Sequence, residues 1–235
     1  MVPSDYCRFE ESIKEKLRQV QCDTDWDDCA TKVRQIAQDS QSGTWGVVVV
    51  GNKEDILNEK IEWHISSINP EPSRCRLLIN DTVLVELFRT GYRAKDIKND
   101  QRQWIWTEAK APNTRVTTVN ICPHSSLREI VSSFSIKQQQ EMIASSQKAR
   151  HGLKSMLHAS TKGLANVFFE ETGHYWNVFI IKNESGSPVE VGFNLPHYVY
   201  DARAGFCIGR TVDGYTVNAA TIGFANEHAE IMSRG

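Results

Sequence analysis

One cysteine of this chain lies in a setting that suits a nucleophile. Cys207 stands in the segment Arg-Ala-Gly-Phe-Cys-Ile-Gly, late in a chain that offers a histidine and several aspartates much earlier. Glycines allow sharp turns and leave N–H groups free to point at a developing oxyanion. The segment therefore predicts a thiolate that attacks a carbonyl carbon. The plain alternative is a buried cysteine in a hairpin.

The elements around this segment are mostly predicted strands. Two amphipathic helices are expected first, at Ser4 to Gln21 and Trp26 to Ser40, because apolar residues recur at helical spacing after possible caps. From Trp45 the pattern changes to strands. The stretch 125–172 is again helical, and strands resume before Trp176. Two strand-rich blocks, each introduced by a tryptophan, predict two β units of similar build that pack together.

Bulk properties exclude some classes of protein. The 235 residues carry a formal charge of −2, with a pI near 6.4, which argues against a globally basic nucleic-acid binder. No apolar run approaches the roughly 18 residues of a membrane span, and the N-terminus has no signal-peptide pattern. We therefore expect a soluble, intracellular protein without a membrane partner.

The six cysteines are scattered along the chain without CxxC pairs. This distribution argues against a zinc site and indicates no disulfide framework. The sequence thus predicts reduced cysteines, no metal and no cofactor.

Several segments in collinear order resemble the picornavirus-type 3C cysteine proteases. They are the strand 81–89 with the loop 94–98 after it, the strand 116–120, the hairpin 181–191, the RAGFCIG segment and the strand Ala219 to Phe224. The resemblance implies a mainly β fold, a chymotrypsin-like double antiparallel β-barrel with N-terminal helices and a helical insertion in the second half. The implied divisions are a helical extension at 1–44, a first barrel at 45–108, and a second barrel at 109–235 whose insertion spans about 125–172.

The resemblance also implies catalytic roles. Cys207 is the expected nucleophile and His64 the general base, with Asp81 orienting the imidazole. Asp96 is the alternative acid. Asp81 is equally suited to a turn beside Asn80, and His64 to an unpartnered place on a strand face.

The oxyanion hole and the substrate pocket follow from the same likeness. Main-chain N–H groups of Gly205, Phe206 and Cys207 are expected to form the hole. Arg203, Ala225 and His228 are expected at the pocket, where the family has a histidine at the position of Ala225. This departure leaves open whether the chain keeps the family's preference for glutamine.

The implied function is a cysteine endopeptidase that cleaves a viral polyprotein, and possible host proteins, in the cytoplasm of an infected cell. A basic loop with Arg93, Lys95 and Lys98 resembles the surface with which the family contacts viral RNA, a salt-dependent kind of contact. RNA is therefore a second candidate partner beside the polypeptide substrate.

Two alternatives remain open. One is a catalytically degenerate protease fold that serves as a binding module, which Ile208, Ala225 and the short spacing between His64 and Asp81 would permit. The other is a nuclease of cyclic GMP-AMP on the same scaffold, because the stretch 47–69 also resembles the poxvirus and baculovirus nucleases. This chain lacks their early histidine and their Tyr-x-x-x-Lys pair. A peptide-cleavage assay separates the endopeptidase from both.

Overall fold

The computed structural model describes residues 6–41, 44–65, 74–90, 122, 124–145, 156–182, 189–194 and 206–224. The helices in these ranges are α1 (Glu11–Arg18), α2 (Trp26–Ser40), α3 (Glu54–Leu57), α4 (Ser125–Ser133), α5 (Ile136–Ser145) and α6 (Met156–Thr172). The strands are β1 (Tyr6–Cys7), β2 (Thr44–Val50), β3 (Ile61–His64), β4 (Arg74–Ile79), β5 (Val83–Thr90), β6 (His174–Ile181), β7 (Val191–Asn194), β8 (Phe206–Arg210) and β9 (Thr216–Phe224).

The strands form two antiparallel sheets that pack face to face. Sheet A has the order β1-β4-β5-β2-β7, and sheet B has the order β3-β6-β9-β8. Val48 and Leu84 of sheet A share a buried core with Trp63 and Phe179 of sheet B. The two sheets therefore make the inner layers of the molecule.

Helices cover the outer faces of both sheets. Buried positions of α1 and α2, such as Leu17 and Val33, join a core with Val47 of β2. On the other side, Leu127 of α4 and Leu164 of α6 join a core with Val178 of β6. The helices of the stretch 125–172 thus form a layer on sheet B.

Local sequence explains why these elements form. Asp25 caps α2, because its carboxylate accepts hydrogen bonds from the backbone N–H groups of Asp27 and Asp28. The four valines of β2 alternate between the two cores, since successive side chains of a strand point to opposite faces. This run of valines is the signature of a strand buried on both sides.

The two halves of the chain repeat one plan. Helices, a tryptophan strand, a short exchanged strand and a hairpin occur in the same order in each half, so that β2, β3, β4 and β5 correspond to β6, β7, β8 and β9. The short strand of each half pairs with the tryptophan strand of the other: β7 with β2, and β3 with β6. The two predicted β units are therefore present and exchange one strand each.

The fold prediction is confirmed only in its coarser part. Antiparallel sheets and the helical segments at both expected places are present, but helix is as prominent as strand. Neither sheet closes on itself within the described ranges, where β1 and β7 end sheet A and β3 and β8 end sheet B. The mainly β double barrel is not what the structure shows. The predicted strands at 104–107 and 115–121 lie outside the described residues.

The cysteine prediction is wrong. All six cysteines pair, in the disulfides Cys7–Cys75, Cys22–Cys29 and Cys122–Cys207. The partners are distant in sequence in two of the three cases, and sequence spacing therefore gave no sign of them. Across the described residues, we find no helix with the length and apolar character needed to cross a membrane.

Candidate functional site

The predicted nucleophile is half of a disulfide. Cys207 lies second in β8, is fully buried and is bonded to Cys122 just before α4. A disulfide sulfur carries no thiolate, and the thiolate is the nucleophilic form of cysteine. The assignment of Cys207 as nucleophile is therefore corrected to a structural role.

The structure also separates Cys207 from the predicted base. The two residues lie at opposite ends of one row across sheet B, with one residue from each strand. In this row His64 lies beside Val178, Val178 beside Ala219, and Ala219 beside Cys207. Neighbouring strands lie about 4.8 Å apart, so three steps separate the two backbones by about 14 Å. A direct hydrogen bond needs about 3 Å, and the side chains of Val178 and Ala219 stand between. His64 and Cys207 do not form a dyad.

Asp81 does not orient the imidazole of His64, as was predicted. It occupies the exposed turn between β4 and β5 with Asn80, and both residues have positive φ, 59° and 51° respectively. Asn and Asp tolerate this conformation well, as a tight hairpin requires. His64 belongs to the other sheet and faces α6. Asp96, the alternative acid, lies outside the described residues.

The predicted oxyanion hole is not formed by β8. Phe206 and Cys207 are consecutive residues of an extended strand, paired with Ala220 and Ala219. Consecutive N–H groups of a strand point to opposite edges, so they cannot converge on one oxygen. The other predicted residues lie outside the described ranges: Gly205 of the hole, Arg203, Ala225 and His228 of the pocket, and Arg93, Lys95 and Lys98 of the RNA surface.

A different cluster of polar and charged side chains lies at the edge of sheet B. We name it the β3 edge site: strand β3 with the side chains of His158 and Lys162 on α6 and of Arg74 and Arg76 on β4. The backbone N–H of Lys182 donates to the carbonyl of Lys60. Because hydrogen-bonded pairs alternate along an antiparallel ladder, the N–H of Trp63 points away from β6. β3 is the last strand of its sheet in the described chain.

The outward N–H of Trp63 is held by an acidic side chain. It donates to Oε1 of Glu62 at 3.0 Å, and the same oxygen lies 3.2 Å from Nδ1 of His158. Glu62 is mostly covered, with 19% of its side chain exposed, whereas His158 is 47% exposed. The carboxylate of Glu62 thus occupies the outward hydrogen-bonding position of β3 at Trp63.

His64 lies in the same site in its neutral form. Its ring centroid is 6.2 Å from that of His158. Burial, together with the nearby His158, Lys162 and Arg74, lowers the pKa of His64 to about 4. Desolvation and positive neighbours both oppose the charged imidazolium, so it is a poor general base near neutral pH.

A buried carboxylate of sheet A holds Trp63 and the two arginines of the site in place. Glu86 of β5 is 1% exposed and accepts hydrogen bonds from Trp63 Nε1 at 2.7 Å and from the guanidinium groups of Arg74 and Arg76. Burial alone would raise the pKa of Glu86, but the two arginines outweigh it and keep the pKa below its usual value. Arg76 also stacks on the Trp63 ring. This network fixes β3 over sheet A.

The corresponding edge in the other half is held by a side chain of α2. Phe193 of β7 occupies the position of Trp63, and its N–H donates to Oδ1 of Asp27 at 3.0 Å. A Cβ placed on Gly192 would lie 1.9 Å from the carbonyl oxygen of Trp26. The first turn of α2 therefore packs directly against the outer face of β7, and Asp27 from that turn accepts the outward N–H of Phe193.

Sequence reasoning missed this site, although signals were present. Glu62 and His64 alternate on one short strand, which places both on the same face. His158 and Lys162 are four residues apart on α6, so they also share a face. What joins the two pairs is packing between distant segments. Among the described side chains, no group of His, Cys, Asp and Glu is arranged to hold a metal ion.

Comparison with protein-family models, with curated proteins and with solved structures gives no match for this chain.

Proposed function

We propose that this chain is a non-catalytic, disulfide-stabilised binding module that takes up an extended peptide segment at the edge of β3. This is the binding-module alternative that the sequence leaves beside the endopeptidase. The observation that carries it is the outward N–H of Trp63, which is held only by the side chain of Glu62 among the described residues. An unpaired strand edge is a template for strand addition.

The positions of the predicted catalytic residues support a function without catalysis. Cys207 is buried in a disulfide, and two strands separate it from His64. The cysteine endopeptidase stays a prediction, and it requires that this disulfide be opened and that another histidine reach the sulfur. The geometry favours binding over cleavage.

β3 is preferred over β7 because of what covers each edge. At β7, the N-terminal turn of α2 contacts the strand through backbone atoms and supplies Asp27. The acceptor at that edge thus belongs to the first turn of a helix that packs against the same strand. At β3, the acceptor is the side chain of Glu62 on the strand itself, and its rotation frees the N–H of Trp63.

The three disulfides indicate the kind of cellular compartment in which such a module functions. Disulfides persist in oxidising compartments and are rare in the cytosol. A cytoplasmic location stays a prediction, and the pairing of all six cysteines weighs against it. We propose a secretory or extracellular setting instead.

Strand addition has a distinctive test. A library of eight-residue peptides is selected on the oxidised protein, and the best peptide is then N-methylated at each residue in turn. If the peptide adds to β3, methyl groups at alternate residues remove ladder hydrogen bonds, and affinity falls about tenfold or more at every second position. An N-methyl profile without this alternation contradicts strand addition.

A second measurement addresses catalysis. The same peptides are incubated with the oxidised protein and with protein treated with a mild reductant. We expect intact peptides in both cases. Cleavage that disappears in Cys207→Ser would overturn the non-catalytic proposal and restore the endopeptidase.

A further inference from the structure

We propose that the strand bound by β3 is acidic and places a carboxylate between His64, His158 and Lys162, where it takes over the role of Glu62. This inference rests on the proposed function and names the chemistry of its partner.

Glu62 marks the position that a partner carboxylate would occupy. Its Oε1 serves two groups at once, the N–H of Trp63 and Nδ1 of His158. A strand that adds to β3 must place a main-chain carbonyl on the N–H of Trp63. Glu62 then has to leave this N–H, and its contact with His158 is disturbed as well. An acidic side chain on the added strand restores a carboxylate beside His158.

The fixed charges of the β3 edge site favour an anion. Lys162 is exposed on α6, one turn after His158. Arg74 and Arg76 share a single carboxylate, that of Glu86, and each keeps about a third of its side chain exposed, 33% and 31%. Lys162 and Arg74 thus both lie close enough to His64 to act on it, in a chain whose overall charge is −2. Displacement of Glu62 increases the local positive charge further.

His64 makes the recognition dependent on pH. The groups that face it are His158 and Lys162 from α6, Arg74 from β4 and Glu62 from its own strand, while Val178 of β6 is apolar. The basic neighbours and burial hold the pKa of His64 at about 4. A partner carboxylate supplies the missing negative charge and raises this pKa, so binding takes up a proton. Affinity for an acidic strand therefore increases as the pH falls from about 7.5 to about 5.5.

The probes are three eight-residue peptides that alternate valine with glutamate, glutamine or lysine. Their dissociation constants are measured on the oxidised protein by calorimetry at about pH 7.5 and about pH 5.5. We expect the glutamate peptide to bind about tenfold tighter than the glutamine peptide at the lower pH, and the lysine peptide to bind weakest. Calorimetry in buffers of different ionisation enthalpy should show proton uptake with the glutamate peptide only.

Matched variants assign the effect to the site. Lys162→Gln should reduce the preference for glutamate, and His64→Gln should abolish its pH dependence. Glu62→Gln weakens the internal competitor and should improve binding of the glutamate and glutamine peptides by a similar factor. Lys32→Gln, which changes an exposed lysine of α2 on the far side of the molecule, should have no effect.

The outcomes separate the two proposals. If the glutamate and glutamine peptides bind equally at both pH values, the acidic partner is refuted while strand addition stands. If none of the three peptides and no library peptide binds, the proposed function fails and this inference fails with it.

Discussion

Cys75 and Cys207 occupy equivalent positions in the two halves of this protein. Each is the second residue of the first strand of a hairpin, and each lies opposite the corresponding residue of the second strand, Leu87 or Ala219. Each is bonded to a cysteine that precedes the helices of its own half, Cys7 or Cys122. The residue that sequence alone marks as a nucleophile is thus one of two matching structural cysteines.

Removal of the Cys122–Cys207 disulfide should cost stability. The bond closes a loop with a sequence separation of 85, for which the loss of denatured-state constraint is worth about 4.5 kcal/mol. We expect Cys122→Ser with Cys207→Ser to lower the free energy of unfolding by about that amount in urea titrations. The pair Cys7→Ser and Cys75→Ser, with a separation of 68, should show a similar loss. An unchanged free energy of unfolding in either double variant would contradict the structural role.

Glu86→Ala should be strongly destabilising. It leaves the indole N–H of Trp63 without its acceptor and two arginine side chains without their shared carboxylate. Because Arg74 and Arg76 can reach water, we expect a loss of about 2–4 kcal/mol rather than a larger one. The control is Glu11→Ala, which breaks exposed ion pairs with Lys14 and Arg18 and should leave the unfolding midpoint unchanged. Equal midpoints for the two variants would show that the buried network contributes little.

Two glycines should respond to alanine in opposite directions. A Cβ at Gly192 would overlap backbone atoms of Trp26, whereas a Cβ at Gly163 in α6 meets nothing within 4 Å. We expect Gly192→Ala to cost about 3 kcal/mol or more and Gly163→Ala to add about 0.5–1 kcal/mol. Thermal unfolding of both variants checks this. A tolerated Gly192→Ala would mean that α2 does not pack this closely on the face of β7.

His64 should make the folded protein less stable in mild acid. Its pKa is about 4 in the folded state and about 6.5 when unfolded. Between these values the unfolded chain binds more protons, so the contribution of His64 to stability is fully present above about pH 6.5 and is lost as the pH falls towards 4. His64→Gln should therefore unfold with a weaker pH dependence than the parent across this window, as measured by urea titration. Parallel curves for the two proteins would refute the half-buried, neutral imidazole.

Local signals determined much of this protein from sequence alone. The limits of α2, the strand Arg74–Ile79 and the turn at Asn80 and Asp81 follow from a cap, an alternating pattern and residues that accept positive φ. The two tryptophan strands also predicted two similar β units. These features depend on residues close together in the chain, and a sequence displays them directly.

Tertiary structure decided the rest. The exchange of β3 and β7 between sheets, the pairing of Cys122 with Cys207 and the meeting of Glu62 with His158 join segments far apart in sequence. No local pattern records which sheet a short strand will join or which cysteine lies opposite another. A glycine-flanked cysteine therefore looked like a nucleophile, and only the packing of sheet B against α4 and α6 turned it into a structural bond. The edge of β3 is the surface at which we propose that a partner binds.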